Sequence, residues 1–255
     1  MPDQASHTLS VQNIGFRFAS GSWGVRDITI EFPPGSIVVL SGPNGAGKTL
    51  LCRLIVALLT PSEGSVALDG EKIEIAKPAA VRRLRSVVGY VQQNADAQFL
   101  GETVASDVAL GPRNSGATSH EIDRRTREAL DTVALGRFAD RDPFTLSGGE
   151  RRRLAIAGML AITGGVLILD EPFSNLDFRA IKSVLDTILR LRSSGTTVIV
   201  VTHELEKIAA HADTLIVLND GRLIGAGTPL DLAPHWSSWG LRPADRPISE
   251  MTWIR

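Results

Sequence analysis

Regular alternation of apolar and polar residues marks the start of the chain. Thr8–Phe18 and Val25–Phe32 alternate in this way, and Pro33, Pro34 and Gly35 end the second segment. Alternation with a period of two is typical of strands that turn one face to the core, and proline and glycine interrupt such strands. The pattern therefore predicts an antiparallel pair of strands at the beginning of the protein.

Three short apolar runs further along the chain show no alternation. Continuous apolar runs of this length are typical of strands that are buried on both faces, as in parallel sheets. The runs are Ile37–Leu40, Val166–Leu169 and Thr197–Val201.

Helical patterns separate these runs. Apolar residues recur at helical spacing in Lys48–Leu59, and between the second and third runs one helix face carries Ile181, Leu185, Ile188 and Leu189. Strands that alternate with helices predict an α/β fold with a mostly parallel sheet.

The strand signals vanish between Asn94 and Leu146. In this part Thr118–Leu135 is predicted to be a charged helix, opened by Thr118 and Glu121 as a capping box. We therefore expect an inserted helical subdomain over about residues 94–163. The expected main domain covers residues 1–230, and residues 231–255, which have no clear period, form a short tail.

A glycine-rich turn lies between the first buried strand and the helix that follows it. It fits the pattern G-x-x-x-x-G-K-[ST], in which backbone N–H groups and the lysine bind phosphates and the hydroxyl binds Mg²⁺. The strand-to-helix setting predicts a P-loop NTPase core that binds a nucleoside triphosphate. The expected nucleotide contacts here are Gly42, Pro43, Asn44, Gly45, Ala46, Gly47, Lys48, Thr49 and Leu50.

Two acidic residues, Asp170 and Glu171, directly follow the second apolar run. The carboxyl edge of a parallel sheet is where ligands bind, although surface acids also commonly end strands. Because a phosphate loop precedes them in the chain, we favour binding roles for both acids over a structural one. Asp170 is expected to join Thr49 in the Mg²⁺ site, and Glu171 is expected to orient the water that attacks the γ-phosphate.

Composition narrows the class of protein. The 255 residues are 43% hydrophobic and 22% charged with a net charge of -1, so global attraction to nucleic acid or anionic lipid is not expected. The single cysteine, Cys52, excludes an intrachain disulfide and is expected to pack in the core. The N-terminus has no secretory pattern, and the longest uncharged stretch, Leu154–Leu169, falls short of the about 20 apolar residues that span a bilayer.

Leu146–Glu150 completes a recognisable set of motifs. Together with the phosphate loop, the two acids, Ser174–Asp177 and Thr202–His203, it resembles the ATP-binding subunits of ABC transporters over roughly Thr8–Pro229. The fold that this resemblance implies is an α/β P-loop core with a mostly parallel sheet, an N-terminal antiparallel β subdomain and the inserted helical subdomain.

The resemblance also assigns roles to further residues. The signature residues, Ser147–Glu150, would complete the nucleotide site of an opposite subunit. A capping box formed by Ser147 and Glu150 at the start of a helix would leave backbone N–H groups free for an anion. His203 would be the switch histidine at the γ-phosphate. Phe18 either stacks on adenine or packs with its neighbours. The expected signature contacts are Ser147, Gly148, Gly149 and Glu150.

The segment from Val88 to Asn114 resembles energy-coupling factor (ECF) importers in particular. Alignment on Asn94 makes Gln93, rather than Gln92, the glutamine that reaches Mg²⁺ and the water. Ala95 departs from the usual proline, which affects the expected stiffness of this loop.

The resemblance implies an ATPase that uses ATP and Mg²⁺ to power uptake of a cobalt or nickel ion or of a vitamin such as biotin. The expected partners are an identical or paralogous ATPase, a membrane-embedded coupling subunit and a substrate-binding membrane component, but no nucleic acid. We expect a peripheral protein on the cytoplasmic face of the membrane. The alternatives are a soluble ABC-type ATPase that acts on ribosomes or DNA, and the ATPase of another ABC importer or exporter.

Overall fold

The computed structural model describes residues 7–94 and 99–254, so the expectation for Ala95 lies outside the described residues. Ten strands and seven α-helices make up the described chain. The strands are β1 Leu9–Arg17, β2 Trp23–Phe32, β3 Ile37–Ser41, β4 Glu63–Leu68, β5 Glu71–Lys72, β6 Val88–Val91, β7 Val166–Asp170, β8 Thr197–Val201, β9 Thr214–Asn219 and β10 Arg222–Gly227. The helices are α1 Lys48–Ile55, α2 Pro78–Val87, α3 Val104–Asn114, α4 Ser119–Thr132, α5 Gly148–Leu160, α6 Phe178–Ser193 and α7 Pro229–Leu232.

The strands form two sheets. The first is antiparallel, with the order β2-β1-β4-β5, and it confirms the antiparallel beginning of the chain. The second has the order β10-β9-β3-β8-β7-β6, in which only β10 runs antiparallel to its neighbour. The predicted α/β fold with a mostly parallel main sheet is therefore confirmed.

The main sheet is buried on both faces, which explains its continuous apolar runs. Val38 and Leu40 of β3 belong to one core cluster, which they share with α1 and the antiparallel sheet. Ile37 and Val39 point to the other side, into a cluster that contains residues of α5 and α6. Because successive side chains of a strand point to opposite faces, one apolar run supplies both cores.

The first helix is shorter than the pattern predicted. The apolar spacing extends to Leu59, but α1 ends at Ile55 and Ala57 has a positive φ of 53°. The left-handed backbone at Ala57 turns the chain out of the helix. Leu59 therefore packs against the core from a turn, as a partly buried residue.

Helices α3, α4 and α5 lie between β6 and β7, in the expected inserted helical region. The capping box predicted for α4 forms only in part. Thr118 Oγ1 accepts a hydrogen bond of 3.4 Å from the N–H of Glu121, whereas the carboxylate of Glu121 accepts from Nε of Arg125 at 3.0 Å. The helix ends at Thr132, three residues before Leu135.

Residues 231–255 contribute to the core up to the last described residue, Ile254. Trp236 is fully buried, and Leu241 and Met251 are 6% and 2% exposed. All three belong to the core cluster on the α5 and α6 face of the main sheet. This segment packs through single large side chains and short 3₁₀ turns, so it leaves no periodic signal in the sequence.

Among residues 7–94 and 99–254, each helix is too short or too polar to span a membrane.

Candidate nucleotide site

A cavity of about 690 Å³ opens where β3, β7 and β8 end. It brings together twelve predicted site residues from five separate parts of the chain. These are Phe18, Asn44, Gly45, Ala46, Gly47, Lys48, Thr49, Leu50, Gln93 and the group Asp170, Glu171 and His203. The two other loop residues, Gly42 and Pro43, line an adjoining cavity of about 450 Å³ that also contains Asn44 and His203.

The conformation of the phosphate loop requires glycine at two positions. Gly42 has a φ of 145°, and a Cβ there would lie 2.1 Å from the carbonyl oxygen of Leu218. Gly47 has a φ of 95° at the N-cap of α1, where a Cβ would lie 2.6 Å from Cγ1 of Val25. The first backbone N–H groups of α1 are therefore presented to the cavity without a side-chain cap, as an anion requires.

Lys48 is the cation of this loop. Lys48 is only 8% exposed, and its Nζ donates to the carbonyl oxygens of Gly42 at 2.7 Å and Pro43 at 2.9 Å. Burial lowers the pKa of Lys48, while the nearby charges of Glu171 and Asp170 act in the opposite direction. The ammonium group thus lies between the loop and the two acids at the end of β7, Asp170 and Glu171.

The expected Mg²⁺ ligands also meet in this cavity. Thr49 Oγ1 donates to Oδ2 of Asp170 at 3.0 Å, while Oδ1 of the same carboxylate is buried and has no hydrogen-bond partner among the described residues. A buried carboxylate oxygen without a partner is costly, and hard oxygen atoms are the ligands that Mg²⁺ prefers. The residues therefore fit Mg²⁺, with Gln93 lining the same cavity.

Tyr90 contacts this carboxylate as well, and the sequence analysis missed it. Its hydroxyl donates to Oδ2 of Asp170 at 2.8 Å from the end of β6. Burial and the neighbouring Asp170 charge raise the pKa of Tyr90 far above its usual value, so the phenol keeps its proton.

Glu171 is held on both carboxylate oxygens. Oε1 lies 2.9 Å from Nδ1 of His203, and Oε2 accepts a hydrogen bond of 3.3 Å from Thr202 Oγ1. The backbone of Glu171 has a positive φ of 48°, and its N–H donates to the carbonyl oxygen of Val201 at 2.8 Å. The carboxylate is thus fixed at the cavity wall by the end of β8 and the two residues after it.

The signature residues lie elsewhere. The Ser147 hydroxyl accepts a hydrogen bond of 3.4 Å from the N–H of Glu150, and the Glu150 carboxylate accepts from the N–H of Ser147 at 2.9 Å. This closes the predicted capping box at the start of α5. Ser147, Gly148, Gly149 and Glu150 line a cavity of about 670 Å³ that shares no lining residue with the phosphate-loop cavity.

An aromatic end of the cavity contains Phe18 and Trp23. Phe18 is 47% exposed and packs its ring edge-on against Phe16, with 5.4 Å between the ring centroids. Trp23, which the sequence analysis did not select, has the guanidinium groups of Arg17 and Arg26 at 5.8 Å and 5.2 Å from its ring centroid.

A hairpin turn that the sequence analysis also missed closes the wall beside the loop. Asp220 and Gly221 connect β9 to β10 and line the cavity. The N–H of Gly221 donates to the carbonyl oxygen of Ala46 at 3.3 Å, and its own carbonyl accepts from Arg26 N at 2.7 Å. The Asp-Gly pair between two apolar segments is a hairpin signal that predicts this turn.

Three arginines, Arg151–Arg153, follow the signature residues, and the middle one is buried. Arg152 is 7% exposed, and its Nη1 donates to the carbonyl oxygens of Gln93 at 2.6 Å and Gln92 at 3.3 Å. Because α5 faces the segment after β6, this arginine ties the signature helix to the Gln93 backbone.

Comparison with known proteins adds the family context. A family profile described as "ABC transporter" matches residues 25–174, more than half of the chain. A putative ABC transporter ATP-binding protein of Halobacterium salinarum is 41% identical over 235 residues, covering 92% of this chain and 99% of that protein. An energy-coupling factor transporter ATP-binding protein of Methanothermobacter thermautotrophicus is 37% identical over 224 residues, 88% of this chain and 72% of that protein.

Two solved structures share the fold. The structure of cbiO1 from Clostridium perfringens, described as part of the ABC transporter complex cbiONQ, has a TM-score of 0.83 at 28% identity and covers 89% of this chain and 91% of its own. A dimeric ATP-binding cassette in a post-hydrolysis state with ADP and phosphate has a TM-score of 0.76 at 26% identity. The match covers 87% of this chain and 98% of that structure's chain.

Proposed function

The chain belongs to the ABC transporter family and is an ATPase that uses ATP with Mg²⁺; from this premise we propose that it powers an ECF-type importer. The cargo is proposed to be a micronutrient, either a cobalt or nickel ion or a vitamin such as biotin. Separate membrane subunits carry this cargo, and the ATPase binds them from the cytoplasmic face.

The observation that carries the proposal is the convergence of the catalytic groups in one cavity. Lys48 neutralises phosphate charge, Thr49 and Asp170 hold Mg²⁺, and Glu171 orients the attacking water with help from Gln93 and His203. Phosphoryl transfer needs mainly positioning and charge stabilisation from the protein. Mg²⁺, when bound, neutralises charge that develops on the phosphates.

The second half of the nucleotide site is proposed to come from another subunit. The N-terminus of α5 suits an anion, since Ser147 and Gly148 are exposed and the helix cap is satisfied. In one chain this helix end lies in a different cavity from Lys48. We therefore assign ATP to the interface of a head-to-tail pair, formed by two copies or by this chain and a paralogue, in which phosphate loop and signature face each other.

The ECF assignment rests on the segment from Val88 to Asn114 and on the relatives. The energy-coupling factor ATP-binding proteins of three archaea are 34–37% identical to this chain. The structural neighbour cbiO1 is described as part of the ABC transporter complex cbiONQ. In the proposed complex, residues near Gln93 transmit ATP-driven movement to the membrane-embedded coupling subunit.

Loss of the phosphate-loop cation tests the nucleotide site. We expect Lys48→Ala to weaken ATP binding by roughly 10- to 100-fold, because charge-assisted hydrogen bonds to phosphate disappear. Equilibrium binding by calorimetry measures this change. Lys77→Ala serves as a control, because Lys77 is exposed and pairs with Glu74. Equal ATP affinities of all three proteins would refute the phosphate-loop assignment.

Purification from native membranes tests the transport role. The proposal predicts that affinity-tagged protein brings down a polytopic membrane subunit and a small membrane protein that carries the cargo. Metal analysis and mass spectrometry of the purified complex then identify the ion or vitamin. Ribosomes or DNA in place of membrane subunits would support the soluble alternative, and membrane subunits unrelated to ECF systems would support another ABC transporter.

A further inference from the structure

Tyr90 is the single tyrosine of the chain, and it lies at the metal end of the candidate site. It belongs to β6, pairs in register with Ile168 of β7, and is 9% exposed. Its hydroxyl therefore reaches the carboxyl end of the neighbouring strand, where Asp170 stands. It lies within the segment Val88–Asn114, but the sequence analysis gave it no role in the site.

Two hydroxyl groups converge on a single oxygen of Asp170. Tyr90 Oη donates to Oδ2 at 2.8 Å, and Thr49 Oγ1 donates to the same atom at 3.0 Å. The other oxygen, Oδ1, is buried and has no hydrogen-bond partner among residues 7–94 and 99–254. Two donors on Oδ2 fix the rotation of the carboxylate. The second oxygen, Oδ1, is then left with both lone pairs unused.

We propose that Tyr90 is a positioning residue for the metal: it holds Asp170 by Oδ2 so that Oδ1 is available to Mg²⁺ or to a water bound to it. This inference rests on the proposed function, because it takes Asp170 and Thr49 as the metal-holding residues. Tyr90 itself contacts neither metal nor nucleotide in this scheme and acts only through Asp170.

Hydrogen bonds to ligating carboxylates contribute measurably to metal affinity. Removal of such an outer partner typically costs 10- to 100-fold in metal affinity or activity. Asp170 is only 3% exposed, so water has little access to replace a lost donor. In Tyr90→Phe the carboxylate keeps Thr49 alone, and we expect the contribution of Mg²⁺ to nucleotide binding to fall by about 10-fold.

The experiment compares binding of a non-hydrolysable ATP analogue with and without Mg²⁺. In the wild type, Mg²⁺ is expected to tighten binding. Tyr90→Phe is expected to reduce this tightening about 10-fold, whereas its affinity for the analogue in EDTA stays within about twofold. A purely structural role predicts lower thermal stability with an unchanged response to Mg²⁺, and that result would overturn the proposal.

Thr187→Val is the matched control for the loss of a buried hydroxyl. Thr187 is 3% exposed, and its Oγ1 donates to the Ser183 carbonyl at 2.9 Å within α6, remote from the cavity. We expect this variant to keep the full response to Mg²⁺. An equal loss in Thr187→Val and Tyr90→Phe would mean that general loosening of the core explains the effect, against the proposal.

A spectroscopic test avoids mutation of Tyr90 altogether. Because the chain has one tyrosine, biosynthetic incorporation of 3-fluorotyrosine gives one ¹⁹F resonance, located beside Asp170. The resonance is expected to shift when Mg²⁺ is added to the complex with the analogue. A resonance that Mg²⁺ does not move contradicts the proposal even if Tyr90→Phe fails to fold.

The outcomes also separate this proposal from the proposed function. Analogue binding that Lys48→Ala leaves unchanged contradicts the phosphate-loop assignment. A wild type whose affinity ignores Mg²⁺ contradicts the metal site and the role of Tyr90 with it. A wild type that responds to Mg²⁺ together with a Tyr90→Phe variant that responds equally contradicts the role of Tyr90 alone.

Discussion

Glu171 combines a strained backbone with a fully held side chain. A positive φ in a non-glycine residue costs about 1 to 3 kcal/mol and persists only where its surroundings enforce it. Here the Val201 carbonyl holds the backbone N–H, while Thr202 and His203 hold the carboxylate. The end of β8 therefore determines the direction in which the proposed water-orienting group points.

Thr202→Val tests this dependence on a neighbouring hydroxyl. The variant removes the 3.3 Å hydrogen bond to Oε2 of Glu171 and keeps the shape of the side chain. We expect kcat to fall by about 10- to 100-fold, because misplacing a catalytic group has effects of this size, while ATP affinity stays nearly constant. Steady-state ATPase assays measure both quantities. A Thr187→Val control should retain activity, and an unchanged kcat in Thr202→Val would contradict the positioning role.

Individual site residues were predictable from the sequence only where a local motif marked them. The phosphate loop and the two acids at the end of β7 stand in continuous patterns, and the structure brings them into one cavity. Tyr90 and Thr202 act across separations of 80 and 31 residues. Such contacts depend on the order of strands in the sheet, which local periodicity does not encode.

The helix α5 connects two parts of the proposed mechanism. Its N-terminus presents the signature residues, and one turn later Arg152 holds the carbonyl oxygen of Gln93. A change at the start of this helix is therefore mechanically linked to the loop that follows β6. The run of arginines at 151–153 does not by itself reveal that Arg152 turns inward, because charge alone does not mark a buried position.

The capping box at the start of α5 predicts a pH-dependent contribution to stability. Burial raises the pKa of Glu150, but the hydrogen bonds from the Ser147 N–H and hydroxyl outweigh it, so the pKa lies below its usual value. A lowered folded-state pKa stabilises the protein above the unfolded-state value, and this stabilisation is lost as the pH falls through the folded value.

Glu150→Ala should therefore destabilise the protein by about 0.5 to 1 kcal/mol at pH 7, with a difference that shrinks as the pH falls below about 4. Urea unfolding across this pH range measures the effect. Glu31→Ala, an exposed substitution on β2, provides the comparison. A destabilisation by Glu150→Ala that stayed constant down to acidic pH would argue against the ionised cap.

Continuous buried runs predicted three strands of the main sheet but not all of them, since β9, in which Leu215–Leu218 is buried, was not predicted. The strands β3, β7 and β8 lie at the centre of the main sheet and read as continuous apolar runs. The edge strand β10 is mostly half-exposed and has no such run, so it was missed. Helix ends were less predictable, since turns with positive φ at Ala57 and Ala134 stop α1 and α4 while the apolar pattern continues.

At the scale of the whole molecule, residues 231–254 contribute to the main core. Trp236 has no exposed surface and packs in the same cluster as α5 and α6. The rings of Trp253 and Phe178 pack at an interplanar angle of 32° with 5.4 Å between their centroids, which places Trp253 beside the start of α6. This segment therefore supports the elements that carry the signature and Asp177.

Trp236→Ala should destabilise the protein by about 3 to 5 kcal/mol, because it leaves a large cavity in the core. Trp253→Ala should cost much less, since Trp253 is only partly buried. Urea unfolding followed by circular dichroism gives both values. A loss below about 1 kcal/mol for Trp236→Ala would contradict the structural role of this segment.

The separation of the phosphate-loop cavity from the signature cavity predicts, under the proposed function, an assembly larger than one chain. One cavity contains Lys48 and Glu171, the other contains Ser147, and they share no lining residue. If ATP binding needs both cavities, ATP holds two subunits together, and its hydrolysis lets them separate. Any substitution that stops hydrolysis without weakening ATP binding should then leave the subunits joined.

Glu171→Gln is such a substitution, because the amide keeps the shape of the side chain but cannot act as a base. If the pair consists of two copies, we expect light scattering with saturating ATP to give twice the monomer mass. If the partner is a paralogue, we expect crosslinking to that paralogue within the purified membrane assembly. Adding Lys48→Ala or Ser147→Arg to this variant should restore the single-chain mass, since each removes one half of the site. Single chains of Glu171→Gln, both alone and in the membrane assembly, would contradict a shared nucleotide site.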